Sequence, residues 1–123
     1  MRTLKILVAD DSRTVRTQLR RALSAAGYTV LEAADGAEAV ELASRELPDL
    51  AILDIVMPQV DGFAVCQRLK QMGAPLNGMP IVFVTRFGSR ALELLGDQWG
   101  AYVEKPVSER ALLDIVGALV PKQ

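Results

Sequence analysis

Five polar residues in this chain occur where apolar runs stop, and their types suit one kind of chemistry. The run LKILVA leads directly into Asp10 and Asp11; LAILD closes on Asp54, PIVFVT on Thr85, and AYVEK on Lys105. If these runs are strands of one sheet, three carboxylates, a hydroxyl and an ammonium gather at one edge. Carboxylates crowded together repel one another, and oxygen-rich sites with few protein ligands suit Mg²⁺. A metal site alone has no need of the hydroxyl of Thr85 or the ammonium of Lys105, which are donors suited to phosphoryl oxygens. A carboxylate can itself be the nucleophile and carry an aspartyl phosphate, and Asp54 is the candidate. Taken singly, each residue has a plainer reading. Asp10 or Asp11 can cap the next helix, Asp54 can be a turn residue, Thr85 can bond nearby backbone, and Lys105 can be a solvated surface group. The recurrence of chemistry-bearing groups at strand ends favours a site.

The elements that must position these residues are readable from periodicity. Residues 4 to 9, 28 to 33, 50 to 54, 80 to 85 and 101 to 105 read as strands. Between them, residues 12 to 27 carry Val15, Leu19, Leu23 and Ala26 at helical spacing, with Gly27 closing the helix. Asp35 and Glu38 have the spacing of a capping box for a helix to about residue 47, where Pro48 interrupts. Pro58 and Asp61-Gly62 mark a turn into a helix over 62 to 72, followed by the loop GAPLNGMP. A short helix is expected over 88 to 98 and a last one over 108 to 120, with Leu112, Ile115, Val116 and Leu119 facing inward. Five strands alternating with five helices, the strands continuously apolar, predict a doubly wound α/β domain with a parallel sheet covered on both faces. In such sheets, sites form beyond the carboxyl ends of the strands, where the winding reverses.

Composition narrows the function classes. A chain of 123 residues predicts a single core. With 14 basic and 15 acidic residues, a net charge of -1 gives no general attraction to nucleic acid or an anionic membrane. No apolar run approaches the roughly 20 residues of a membrane helix, so no membrane association is expected and the cytoplasm is the expected compartment. The chain has no histidine and one cysteine, which excludes an internal disulfide, a conventional zinc site and a Ser-His-Asp triad. Cys66, near Phe63 and Leu69 at helical spacing, reads as a small core residue.

Over its whole length the sequence resembles the receiver domains of two-component response regulators. The resemblance rests on LVADDS, LDIVMPQVDG, VFVT and YVEKP, in that order. It implies the flavodoxin-like strand order 2-1-3-4-5, with Asp54 as phosphoacceptor, Asp11 as a direct Mg²⁺ ligand, Asp10 as a ligand acting largely through water, and Val56 lending its backbone carbonyl. Thr85 would hydrogen-bond the phosphoryl group, Lys105 would pair with it, and Lys105-Pro106 would be cis. Tyr102 matches the aromatic switch residue, although a static half-buried ring is the plainer alternative. Lacking histidine, the chain needs a partner's phosphohistidine, on a histidine kinase or phosphotransfer protein, or a small phosphodonor. By family analogy, Arg13, Arg16 and Arg20 are a candidate docking surface, and equally a solvated face. The output would pass to a downstream protein or a fused effector domain through the surface formed by the 88 to 98 helix, the fifth strand and the last helix.

Three departures bear on function. Arg86 stands where the family usually has a small residue, and it restricts access to Asp54, turns outward, or helps bind incoming phosphate. Val56 and Phe87 match positions that in the family tune water attack on the acyl phosphate, and the resemblance therefore implies, with apolar side chains there, a long-lived phosphorylated state. The segment between Thr85 and Lys105 is slightly shorter than is typical, so its helix is expected to be shortened or shifted, with Trp99 as a packing anchor. The leading expectation is a phosphoacceptor that assists its own phosphorylation and dephosphorylation, and is not an enzyme acting on other substrates. Rivals are a degenerate receiver used only for protein binding and an aspartyl-nucleophile phosphatase, which would want Asp-x-Asp after the first strand rather than Asp10-Asp11. A flavodoxin is disfavoured by acids in ADDSRT, where a phosphate loop needs donors.

Overall fold

A computed structural model describes residues 3–86 and 101–121. Its elements, in chain order, are β1 (Lys5–Ala9), α1 (Arg13–Ala25), β2 (Thr29–Ala33), α2 (Gly36–Glu46), β3 (Leu50–Asp54), α3 (Gly62–Gln71), a 3-10 turn (Leu76–Gly78), β4 (Ile81–Thr85), β5 (Ala101–Glu104) and α4 (Glu109–Leu119). All strand pairs are parallel, in the order β2-β1-β3-β4-β5. This is the expected sheet. Four α-helices are present among the described residues, and the helix expected over 88 to 98, with Phe87 and Trp99, lies outside them.

The central strands are nearly continuous apolar runs because both faces of the sheet are covered there, whereas the edge strands β2 and β5 carry Glu32 and Glu104. Every residue of β3 and β4 is buried. On one face Ile6, Val8, Ile52, Val82 and Val84 meet Leu19 and Leu23 of α1 and Leu112 and Val116 of α4. On the other, Leu7, Leu53 and Phe83 meet Ala39 and Ala43 of α2 and Val65, Cys66 and Leu69 of α3. Fully burying a Leu, Ile, Val or Phe side chain contributes roughly 1.5–3 kcal/mol. The two apolar layers therefore hold the strand ends rigidly, and those ends carry the site.

Each helix starts on a side-chain cap: Ser12 Oγ accepts from the Val15 N–H at 3.3 Å, Asp35 from Glu38 at 2.8 Å, Asp61 from Ala64 at 2.8 Å, and Ser108 from Ala111 at 3.3 Å. Gly27, at φ +97°, follows α1 in the left-handed region. Leu47 ends α2 at φ 49°, a conformation that side chains rarely adopt.

Some sequence expectations shift. Ala26 is exposed and lies beyond the end of α1 at Ala25, while Ala22 and Leu23 of the last turn are buried in the core. Leu119, expected inward, is 37% exposed at the end of α4. Lys105 does not close a strand: β5 stops at Glu104, and Lys105 begins the following loop.

Candidate functional site

At the carboxyl edge of the sheet, Asp10 leaves β1 almost wholly buried. The Ser12 N–H donates to its Oδ1 at 2.9 Å, and Arg16 reaches back from α1 to donate to its backbone carbonyl at 2.6 Å. These bonds fix both the side chain and the backbone at that corner. Asp11, the next residue, turns outward and is exposed. Asp54 ends β3, 5% exposed, and its Oδ1 accepts the Val56 N–H at 3.1 Å. Oxygens from the carboxylates of Asp10, Asp11 and Asp54 all lie within 4.8 Å of one another.

Lys105 ties this cluster to β4 and β5. Its N–H donates to the Thr85 carbonyl at 2.7 Å, and the Lys105-Pro106 bond is cis. Its Nζ lies 2.9 Å from Asp10 Oδ2 and 3.1 Å from Asp54 Oδ2, so one ammonium spans two buried carboxylates. Burial, reinforced by the neighbouring charge of Asp10, pushes the Asp54 carboxyl above its ordinary range despite Lys105 and the Val56 N–H. Burial of Lys105 works to lower its value, but its pairing with the carboxylates of Asp10 and Asp54 prevails and raises it. Three acids face one ammonium, an imbalance that an oxygen-seeking cation would relieve.

Thr85 is fully buried at the end of β4, beside this group. Asp11, Ser12, Asp54, Val56, Arg86 and Lys105 line one cavity of about 310 Å³. The Val56 side chain is exposed, with its N–H turned to Asp54. Tyr102 is half-buried, its ring stacked on Phe83 at 5.8 Å between centroids. The basic side of α1 is divided. Arg16 and Arg20 pair with Glu32 of β2 at 3.7 and 3.2 Å, while Arg13 is exposed. As a free docking surface, therefore, that patch is smaller than its three arginines suggested.

Two residues that shape the site were not singled out for it from the sequence. Arg16 looked like part of a surface charge run, yet it holds the Asp10 backbone. Gly62 looked like an ordinary turn residue, yet a Cβ there would lie 2.5 Å from the Asp54 carbonyl oxygen. The Asp61-Gly62 pair, placed soon after a strand-ending acid, was the available signal for the second.

The family profile described as "Response regulator receiver domain" matches residues 6–117. The chain belongs to that family. This receiver is 40% identical over 119 residues to response regulator MprA of Mycobacterium leprae (strain TN), covering 95% of this chain and 51% of that protein. It thus spans about half the length of the curated relatives it matches. Among solved structures it is similar to the Vibrio cholerae chemotaxis protein CheY4, with a TM-score of 0.88 and 30% identity, covering 97% of this chain and 100% of that one. It is similar also to a receiver domain of a signal transduction histidine kinase from Syntrophus aciditrophicus, with a TM-score of 0.83 and 31% identity, covering 95% and 89%. The receiver is accordingly a two-component signalling module with a flavodoxin-like fold, and no helix among its described residues is long and apolar enough to cross a membrane.

Proposed function

We propose that the receiver is a Mg²⁺-dependent phosphoacceptor in which Asp54 takes a phosphoryl group and the resulting change alters an output surface. The observation that carries this reading is the Lys105 ammonium bridging Asp10 and Asp54 at 2.9 and 3.1 Å, with Asp11 open at the rim. The donor set fits Mg²⁺: three carboxylate oxygens within 4.8 Å of one another, with exposed Asp11 leaving room for water ligands. Asp10, Asp11 and Asp54 would hold the ion with the Val56 carbonyl, and the bound ion would neutralise charge on the phosphoryl oxygens.

In the transfer, an Asp54 carboxylate oxygen attacks phosphorus, the donor's bond to phosphorus breaks, and the leaving group departs with its electron pair. Lys105, already between Asp10 and Asp54, follows the new negative charge, and the Thr85 hydroxyl supplies a further donor. With no histidine in the chain, the phosphohistidine belongs to a partner, a histidine kinase or a phosphotransfer protein. Tyr102 then moves as Thr85 moves, and β5 and α4 contribute to the surface read by a downstream protein or a fused effector domain. The receiver assists its own phosphorylation and dephosphorylation without turning over another substrate, and the cytoplasm is its proposed compartment.

Intact mass after incubation with acetyl phosphate tests the reading. A gain of one phosphoryl group that requires Mg²⁺ and is absent in Asp54→Asn is the expected result. No gain in the wild-type chain would sink it and leave a receiver used only for binding.

A further inference from the structure

Arg86 is a cation that the transfer chemistry above does not use, and it stands at the mouth of the acceptor cavity. It follows Thr85 directly, is exposed, and shares the 310 Å³ cavity with Asp54, Asp11 and Lys105. It also borders an adjoining cavity of about 440 Å³, again together with Lys105. The two cations therefore stand at the boundary between the two spaces. Their engagements differ. Lys105 is held by two buried carboxylates, whereas Arg86 makes no ion pair among the described residues, although Asp11 lines the same cavity.

A dianionic phosphodonor approaching Asp54 meets three carboxylates of its own sign. Lys105 offsets part of that repulsion, but its ammonium is already shared between Asp10 and Asp54. A guanidinium at the rim is suited to receive phosphoryl oxygens, because its planar fork donates two parallel hydrogen bonds and stays charged throughout the accessible pH range.

We propose that Arg86 is a docking residue for the incoming phosphoryl group, binding its oxygens at the cavity mouth before Asp54 attacks. The inference rests on the reading of Asp54 as phosphoacceptor. With an acyl phosphate as donor, the step balances: a carboxylate oxygen of Asp54 forms the new bond to phosphorus, the acyl oxygen–phosphorus bond breaks, and the carboxylate product leaves with the electron pair. Arg86 holds oxygens that remain on phosphorus, so its contribution is independent of the leaving group.

Two donors with different leaving groups test this, acetyl phosphate and phosphoramidate, with phosphorylation rates followed by intact mass at several donor concentrations. Arg86→Ala is expected to raise the half-saturating concentration about tenfold for both donors, with a smaller effect on the rate at saturation. Arg86→Lys is expected to recover part of the loss and Arg86→Gln none, and the wild-type advantage is expected to shrink as salt is raised. A rate that rises in Arg86→Ala would make the side chain an obstruction and overturn the proposal, as would an unchanged rate. A loss confined to acetyl phosphate would place the contact on the leaving group and overturn it as well. Failure of the wild-type chain itself to take up phosphate from either donor would instead overturn the underlying assignment of Asp54.

Discussion

Asp54 is subject to opposed influences whose balance makes a prediction. Burial and the charge of Asp10 raise its carboxyl value, while Lys105 and the Val56 N–H work to lower it, and the net direction is up from 3.8. A group whose folded-state value lies above its unfolded value contributes stability fully below the unfolded value. That contribution is lost as pH rises through the folded-state value. In Mg²⁺-free solution, ionised Asp54 therefore works against the fold at neutral pH. Asp54→Asn, which removes the buried charge, keeps one oxygen as acceptor for the Val56 N–H and leaves Lys105 paired with Asp10, is expected to raise the Mg²⁺-free melting temperature at pH 7 by about 4 °C, the effect of ~1 kcal/mol in a domain of this size. The gain is expected to shrink toward pH 4. Thermal unfolding at both pH values checks this, and an equal gain at both, or a loss, would contradict the electrostatic account. Lys105 has the same sign: its contribution is present through neutral pH and is lost as pH rises past its ordinary 10.5 toward the raised folded-state value.

At the scale of elements, the connection from β3 to α3 sets the aim of Asp54. Gly62 opens α3 and its N–H donates to the Ile55 carbonyl at 3.0 Å, drawing the helix start onto the strand end. An added Cβ would lie 2.5 Å from the Asp54 carbonyl oxygen and 3.1 Å from the Ile55 Cα, both backbone atoms that cannot swing aside. Helix propensity favours alanine by about 1 kcal/mol in a helix interior, and crowding a packed site costs roughly 1–3 kcal/mol. Gly62→Ala is thus expected to lower stability in denaturant titrations and to slow phosphorylation of Asp54, whereas a stabilised variant with unaltered phosphorylation would show that the approach is looser than described. What was legible in the sequence follows the same division between local and distant contacts. The five strands, the cap at Asp35 and the acids at strand ends depend on neighbours in the chain, so periodicity and residue type reveal them, whereas the cap of α1 is Ser12 and not the Asp10 or Asp11 that residue type offered. The inward turn of Arg16 depends on Glu32 in the adjacent strand and the Asp10 carbonyl, and the close fit of Gly62 depends on the end of β3. Neither contact leaves a periodic trace. Leu47, left-handed at the end of α2, defeats residue-type reasoning because glycine or asparagine is the usual choice there.

For the whole molecule, the acidic cluster exists only when the fold is complete. Asp10 and Asp11 follow β1, Asp54 ends β3, and Lys105 follows β5, so the unfolded chain holds no such arrangement. An ion that binds only the folded chain stabilises it by mass action, by about 2.7 kcal/mol at a hundredfold excess over its dissociation constant. Mg²⁺ is accordingly expected to raise the melting temperature of the wild-type receiver and to do so much less in Asp10→Asn and Asp54→Asn, and an equal rise in all three would point to non-specific binding. The sheet order and the two apolar layers bring these groups to one edge, and the family relationship supplies the signalling context. The central claim is that Asp54 carries the phosphoryl group. Borohydride reduction of the receiver after treatment with acetyl phosphate and Mg²⁺, followed by peptide mass spectrometry, tests it most directly, because reduction converts an aspartyl phosphate to homoserine at the modified position. Homoserine at position 54 is the predicted result; homoserine at position 10 or 11, or at none of the three, would contradict it.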